Sequence, residues 1–366
     1  MENDIILVIV VVTALAFDYT NGFHDTANSV ATSISTRAMA PRVAVTMAAI
    51  LNFVGAFLSL EVAATIASGI VEADLVTLPI VFAGLIGAIF WNLLTWYFGL
   101  PSSSSHALIG GMIGSMFAAQ GASAIMGDGI VEKVLIPGLM APVLAFVVAG
   151  IGILLIYRIV ARQKPSTVSR SFRLGQIITG SLFSLSHGTN DAQKTMGIIF
   201  LALIANGNLT SESEIPTWVV VSAATAIALG TYVGGWRIIK TMGSRIIKMD
   251  PAQGFAAQGA GAAVILTASH VGFPLSTTQV ISGAIMGAGA AKRVSAVRWG
   301  VAGNIVVAWV LTLPAAAAVG ALTYGVVHLF GDGAAGCVVV SAVLLVALGV
   351  VLARRVGAGQ TLTAEG

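Results

Sequence analysis

A chain of 366 residues that is 57% hydrophobic and only 9% charged, with a mean hydropathy of +0.95, is far from the roughly one-quarter charged content of a soluble domain. It reads as an all-α polytopic membrane protein, because continuous apolar runs such as 134–157 exclude the alternating pattern of a β-barrel. The lone Cys337 excludes an intrachain disulfide and a cysteine-built metal site, and the net charge of +3 is explained by topology rather than by nucleic acid.

The first predicted span covers 5–36. Its flank, Met1 to Asp4, is acidic, which predicts a retained helix instead of a cleaved signal peptide. Gly22-Phe23-His24-Asp25-Thr26-Ala27-Asn28-Ser29 interrupts this span with a carboxylate, an imidazole, an amide and hydroxyls. Such groups are costly in a bilayer and mark function. The pattern predicts a broken helix here, then spans at 43–60, 79–98, 106–120 and 134–157. A second set follows at 174–205, broken again at Ser186-His187-Gly188-Thr189-Asn190-Asp191-Ala192-Gln193-Lys194-Thr195, then at 217–236, 254–270, 276–290 and 299–327. An extra helix at 335–353 brings the expectation to about 11 hydrophobic segments.

The loops sort by charge. Sixteen of the 18 Lys and Arg residues fall in loops that the span count puts on one side: Arg37 and Arg42, the central group from Arg158 to Arg173, Arg237 to Lys248, Lys292 to Arg298, and Arg354 with Arg355. The positive-inside rule makes that side cytoplasmic, with the N-terminus outside and the C-terminus inside. The first interrupted span then runs inward and the second outward. The halves are therefore expected to be inverted repeats, 1–157 and 174–327, joined by a cytoplasmic linker at 158–173 and followed by a C-terminal helix and tail at 328–366. Inverted repeats with discontinuous helices are the architecture of secondary transporters.

Two further stretches match. Gly99-Leu100-Pro101-Ser102-Ser103-Ser104-Ser105-His106 parallels Gly272-Phe273-Pro274-Leu275-Ser276-Thr277-Thr278-Gln279. The paired prolines are 173 residues apart and the paired aspartates, Asp25 and Asp191, are 166 apart, so one register nearly holds across each half. Each stretch is a Pro-opened turn with hydroxyls leading into a helix N-terminus, a ready-made anion site. Charge sorting allows either full spans or re-entrant hairpins for 79–120 and 254–290; hairpins are the expectation, because they bring both hydroxyl tips to the midplane. The simpler reading of a single Ser/Thr cluster is local bonding to its own turn, and the duplication argues against it. Asp18 reads equally as a cation ligand or a capping carboxylate, His106 as a satisfied core donor, and Asn52, Trp91-Asn92 and Asn304 as interhelical hydrogen bonds.

With these four motifs in order, GFHDTANSVAT and SHGTNDAQKTMG with PSSSSH and PLSTTQ, the chain resembles the inorganic phosphate transporter (PiT) family over nearly its whole length. The resemblance implies symport of phosphate with a cation on an inverted-repeat, dimeric fold. Sodium-coupled members often read GANDVANS; His24 stands where their asparagine does, a feature similar to the bacterial low-affinity branch. That departure favours proton over sodium coupling, with the substrate free phosphate or a metal-phosphate complex, at a bacterial inner membrane.

Site roles follow as expectations. Phosphate is assigned to Asp25, Ser103, Ser104, Ser105, Asp191, Lys194, Ser276, Thr277 and Thr278, with the carboxylates accepting the proton that phosphate retains at neutral pH. The coupling ion is assigned to Asp25, Asn28, Asn190 and Asp191, with His24 and His187 as proton carriers. No cofactor is expected beyond the co-transported proton or sodium. Competing readings are a sulfate permease, sodium-coupled phosphate symport, a passive channel, and an intramembrane hydrolase; the symmetric duplication disfavours the last.

Overall fold

The computed structural model describes residues 2–331 and 333–346. Among them the chain is helical throughout, apart from one isolated β-bridge between Val71 and Ile125. The first half holds α1 (Glu2–Ser35), α2 (Pro41–Gly55), α3 (Glu61–Ser68), α4 (Leu78–Phe98), α5 (Ser104–Gln120), the short α6 (Gly127–Ile130) and α7 (Ile136–Val160). The second holds α8 (Pro165–Ala205), α9 (Thr217–Val233), α10 (Trp236–Lys240), α11 (Pro251–His270), α12 (Thr277–Lys292) and α13 (Trp299–His328). Helix α14 covers Ala334–Val346; the rest of the expected C-terminal helix and the tail lie outside the described residues.

The expected helix breaks do not occur. Helix α1 runs 34 residues through Gly22–Ser29, and α8 runs 41 residues through Ser186–Thr195. The backbone stays helical through both stretches: Thr26 Oγ1 donates back to Gly22 O at 2.7 Å, while His24 and Asn28 reach Thr95 and Thr277 on other elements. Of the roughly 11 expected hydrophobic segments, not all pass as spans by length and composition. Four helical stretches among the described residues are long and apolar enough to cross a membrane: Asn3–Ser35, Leu78–Phe98, Gly127–Val160 and Trp299–His328. The pair Thr217–Val233 and Trp236–Arg245, bent by 60°, makes a fifth if it counts as one span. Helix α8, though the longest helix here, fails that test because of its own polar and charged residues.

Helix pairing is unchanged when the halves are exchanged. Helix α1 packs on α9 as α8 packs on α2; α5 packs on α13 as α12 packs on α7; and α4–α5 and α11–α12 are matching helix hairpins. Glycine sets the first of these contacts in both halves. A Cβ on Gly22 would lie 2.9 Å from Thr231 N, and one on Gly188 would lie 2.6 Å from Asn52 Cα. Both crossings therefore need backbone-to-backbone approach.

The two hairpin tips are buried and touch: Ser105 Oγ donates to Leu275 O at 3.0 Å. Arg237 donates to Tyr97 O beside the first tip, whereas Lys292 and Arg298 lie with their loops at one basic end. There Asp250, the N-cap of α11, accepts from Tyr157 at 2.7 Å and Lys292 at 3.2 Å, and Gln176 donates to Pro251 O at 2.7 Å. Asn304 faces outward on α13, contrary to its expected interhelical bond.

Gly188→Ala is expected to lower the melting temperature of the detergent-solubilised protein, at a cost of about 1–3 kcal/mol from overpacking. Gly152→Ala, whose Cβ would meet nothing within 4 Å, is expected to leave it unchanged or raise it.

Candidate functional site

The midsections of α1 and α8 and the two hairpin tips converge on Asp25 and Asp191, which are 2% and 0% exposed. Thr277, on the second tip, sits between the two carboxylates: its Oγ1 is 3.5 Å from Asp25 Oδ2 and 3.2 Å from Asp191 Oδ2. One hydroxyl proton serves one carboxylate at a time. The other oxygen then faces a like charge across the shared threonine.

Each carboxylate has its own set of partners. His24 Nδ1 is 2.6 Å from Asp25 Oδ1, and His24 Nε2 is 3.0 Å from Thr95 Oγ1. Thr278 Oγ1 donates to Asp25 Oδ1 at 3.2 Å. Asn28, one turn along α1, donates to Thr278 at 2.9 Å and Thr277 at 3.2 Å. On the other side His187 Nε2 lies 3.0 Å from Asp191 Oδ2 but out of hydrogen-bond alignment, while its Nδ1 is 3.1 Å from Asn52 Oδ1. Asn52 in turn donates to Thr231 at 2.7 Å, so this imidazole is held through α2 and α9.

Lys194 occupies the position on α8 that Asn28 holds on α1. Its ammonium pairs with Asp191 and donates to Ser105 Oγ at 2.5 Å and Leu275 O at 2.8 Å. All three of its protons are used. Lys194 therefore ties Asp191 to both tips, and in this arrangement no N–H of Lys194 is left for a ligand.

The remaining expected residues divide. Ser103 and Ser276 are the N-caps of α5 and α12, accepting from His106 N at 3.1 Å and Gln279 N at 3.3 Å. Ser104 Oγ is buried without a protein partner. Asn190 does not join the carboxylates: its amide donates to Ser269 at 2.9 Å and Phe273 O at 3.3 Å. His106 and Gln279, equivalent positions in the two motifs, meet at 3.3 Å. Sequence reasoning missed Thr95, Thr231 and the Leu275 carbonyl; only their helix neighbours could supply that signal.

The charge balance sets the chemistry. Asp18, 0% exposed, faces Thr195 and Asn21, with none of these side chains in hydrogen-bond alignment. Asp18, Asp25 and Asp191 thus share one ammonium. One ligand atom each from Asp25, His187 and Asp191 lie within 4.8 Å of one another, all buried, a spacing that fits a bound cation. Buried carboxylates need such compensation, or protons, in a water-free interior.

Comparison with known proteins places this geometry. Residues 21–320 match the sequence pattern of the phosphate transporter family. A Mycobacterium tuberculosis protein described as a probable low-affinity inorganic phosphate transporter is 56% identical over 327 residues, covering 89% of this chain and 78% of its own. Proteins of the same description are 52% identical in Rhizobium meliloti, covering 87% of this chain and 96% of their own, and 46% identical in Bacillus subtilis, covering 89% and 98%. A solved structure titled as the sodium-dependent phosphate transporter superposes with a TM-score of 0.81 at 27% identity, covering 88% of this chain and 99% of that one.

Lys194→Met is expected to destabilise the protein by about 3–5 kcal/mol, because it strips Asp191 of its buried counter-charge. Adding Asp191→Asn is expected to restore much of the loss. A double-mutant cycle on thermal melts measures the coupling.

Proposed function

The chain belongs to the phosphate transporter family, and on that premise we propose that it imports inorganic phosphate by symport with a cation, using the Asp25–Thr277–Asp191 cluster as the shared site. The observation that carries this is the cluster's excess of buried negative charge beside two tips of hydroxyls and helix N-termini. An oxyanion entering there adds to an already negative centre. It is tolerated only with a cation or protons bound, which makes loaded and empty forms stable and half-loaded ones costly.

The residues take distinct parts in this reading. Ser104, unpartnered, and Ser105, Thr277 and Thr278 donate to phosphate oxygens; Ser103 and Ser276 fix the helix ends whose N–H groups face it. A protonated phosphate oxygen donates to Asp25 or Asp191. Lys194 supplies charge and, when phosphate displaces Ser105 or the Leu275 carbonyl, an N–H. The cation sits among Asp25, His187 and Asp191, with Asn28 holding the tip threonines. His24, in contact with Asp25, favours a proton as the coupling ion; the solved relative's sodium dependence belongs to that protein.

The architecture reads as inverted repeats, with α4–α5 and α11–α12 as re-entrant hairpins. The interchangeable pairing of the halves and the meeting of two buried tips support this. The basic end is then cytoplasmic and the membrane a bacterial inner one, in a homodimer. Sulfate transport gains no support from the family match or the relatives.

In proteoliposomes with proton and sodium gradients imposed separately, the proton gradient is expected to drive uphill uptake of labelled phosphate, with sulfate a poor competitor. Asp191→Asn is expected to cut that accumulation roughly tenfold or more. Unchanged accumulation and pH dependence in Asp191→Asn would remove the coupling role.

A further inference from the structure

The register between the halves allows each residue on one side of the central carboxylates to be compared with its counterpart on the other. Offsets of 166 along α1 and α8, and 173 along the hairpins, pair Gln176 with Val10, Thr32 with Ile198, Ser33 with Ile199, Thr36 with Ala202, Gln258 with Leu85 and Ser282 with Ile109. All are buried, at 5% exposure or less. The second member of every pair is apolar, and those six residues belong to one hydrophobic cluster. The first members are polar and lie between Asp25 and the basic end. Two halves that match in their helices and tips thus differ in what lies on either side of the site.

The polar layer is bonded loosely and incompletely. Thr36 Oγ1 donates to Gln176 Oε1 at 2.9 Å. Gln258 Nε2 donates to Ser29 O at 3.0 Å and Ser33 Oγ at 3.1 Å, and Thr179 Oγ1 donates to Gln258 Oε1 at 3.4 Å. These bonds join α1 to α8 and α11. Ser29, Thr32 and Ser282 have hydroxyls with no protein partner. Hydroxyls in membrane helices commonly bond back to their own turn, and these three do not. Buried polar groups left this way are costly unless water or a passing polar solute serves them.

Both glutamine amides rest against glycines. A Cβ on Gly180 would lie 3.0 Å from Gln258 Nε2, and one on Gly254 would lie 2.8 Å from Gln176 Oε1. The layer carries no charge that would trap an oxyanion. Its hydrogen bonds exchange with water at little net loss, whereas parting the apolar counterparts exposes hydrocarbon.

We propose that this neutral polar layer, centred on Gln258 and Gln176, is the gate through which the transported oxyanion leaves the central site toward the basic end, and that the apolar layer of Val10, Leu85, Ile109 and Ile199 closes the opposite end while that gate is open. The proposal rests on the phosphate-transport reading.

The test exchanges each gate residue for its counterpart. Gln258→Leu and Gln176→Val are expected to lower the initial rate of phosphate uptake in proteoliposomes roughly tenfold, while phosphate still raises the melting temperature of the purified variants as it does the parent. Unchanged uptake, or uptake and phosphate stabilisation lost together, overturns the gate. A labelling arm stands independently of how those variants fold. In a Cys337→Ser background, Ser33→Cys is expected to react with a membrane-impermeant maleimide applied at the basic end and to be protected by phosphate; Leu85→Cys is expected to resist the reagent applied at that same end. An unreactive Ser33→Cys, or equal reaction at Leu85→Cys, overturns the proposal. If phosphate fails to stabilise even the parent protein, the transport reading itself falls.

Discussion

Among the described residues, three buried carboxylates, those of Asp18, Asp25 and Asp191, stand in the helical core with one buried ammonium, that of Lys194. Much of the surrounding structure answers that imbalance. Thr277 is shared between two of the carboxylates, His24 and His187 stand against one each, and Lys194 spends every proton on Asp191 and the tips. In a medium that cannot screen charge, adding an anion to such a core is costly unless further positive charge arrives with it. On the proposed reading, a phosphate carrier would turn that requirement into coupling, because anion and cation each make the other's binding less costly.

The duplication supplies the geometry, and departures from it supply the asymmetry of charge. Gly22 and Gly188 let α1 and α8 cross α9 and α2 at equivalent points, and Asp25 and Asp191 both face Thr277 on the second tip. Ser103 and Ser276 cap the two tip helices alike. Against this background Asn28 is neutral where Lys194 is charged, and Asp18 has a serine, Ser184, as its counterpart. The site is thus built symmetrically but charged asymmetrically.

What was legible in the sequence was whatever repeats. The two aspartate stretches, the two Pro-hydroxyl turns and the sorting of basic loops identified the elements that converge, because residue identity at fixed spacing survives without a structure. The continuity of α1 and α8 was not legible. A run such as Gly22-Phe23-His24-Asp25 looks like a break when its partners are unknown, and here they lie 71 residues away for His24 and about 250 for Asn28. Asn190 shares neither contact nor direction with Asp191, since one residue along a helix turns a side chain by about 100°, and its amide donates to Ser269. Gln176 and Gln258 went unnoticed because each is a lone polar residue in an otherwise unremarkable helix. Only the three-dimensional register gives them counterparts.

The most direct test of the central claim is the affinity of the purified protein for phosphate, titrated at constant ionic strength while proton and sodium concentrations are stepped one at a time and phosphate ionisation is accounted for. If buried negative charge drives coupling, raising the coupling cation tightens phosphate binding by roughly tenfold or more, and phosphate tightens the cation equally. A phosphate affinity indifferent to both cations would contradict the account.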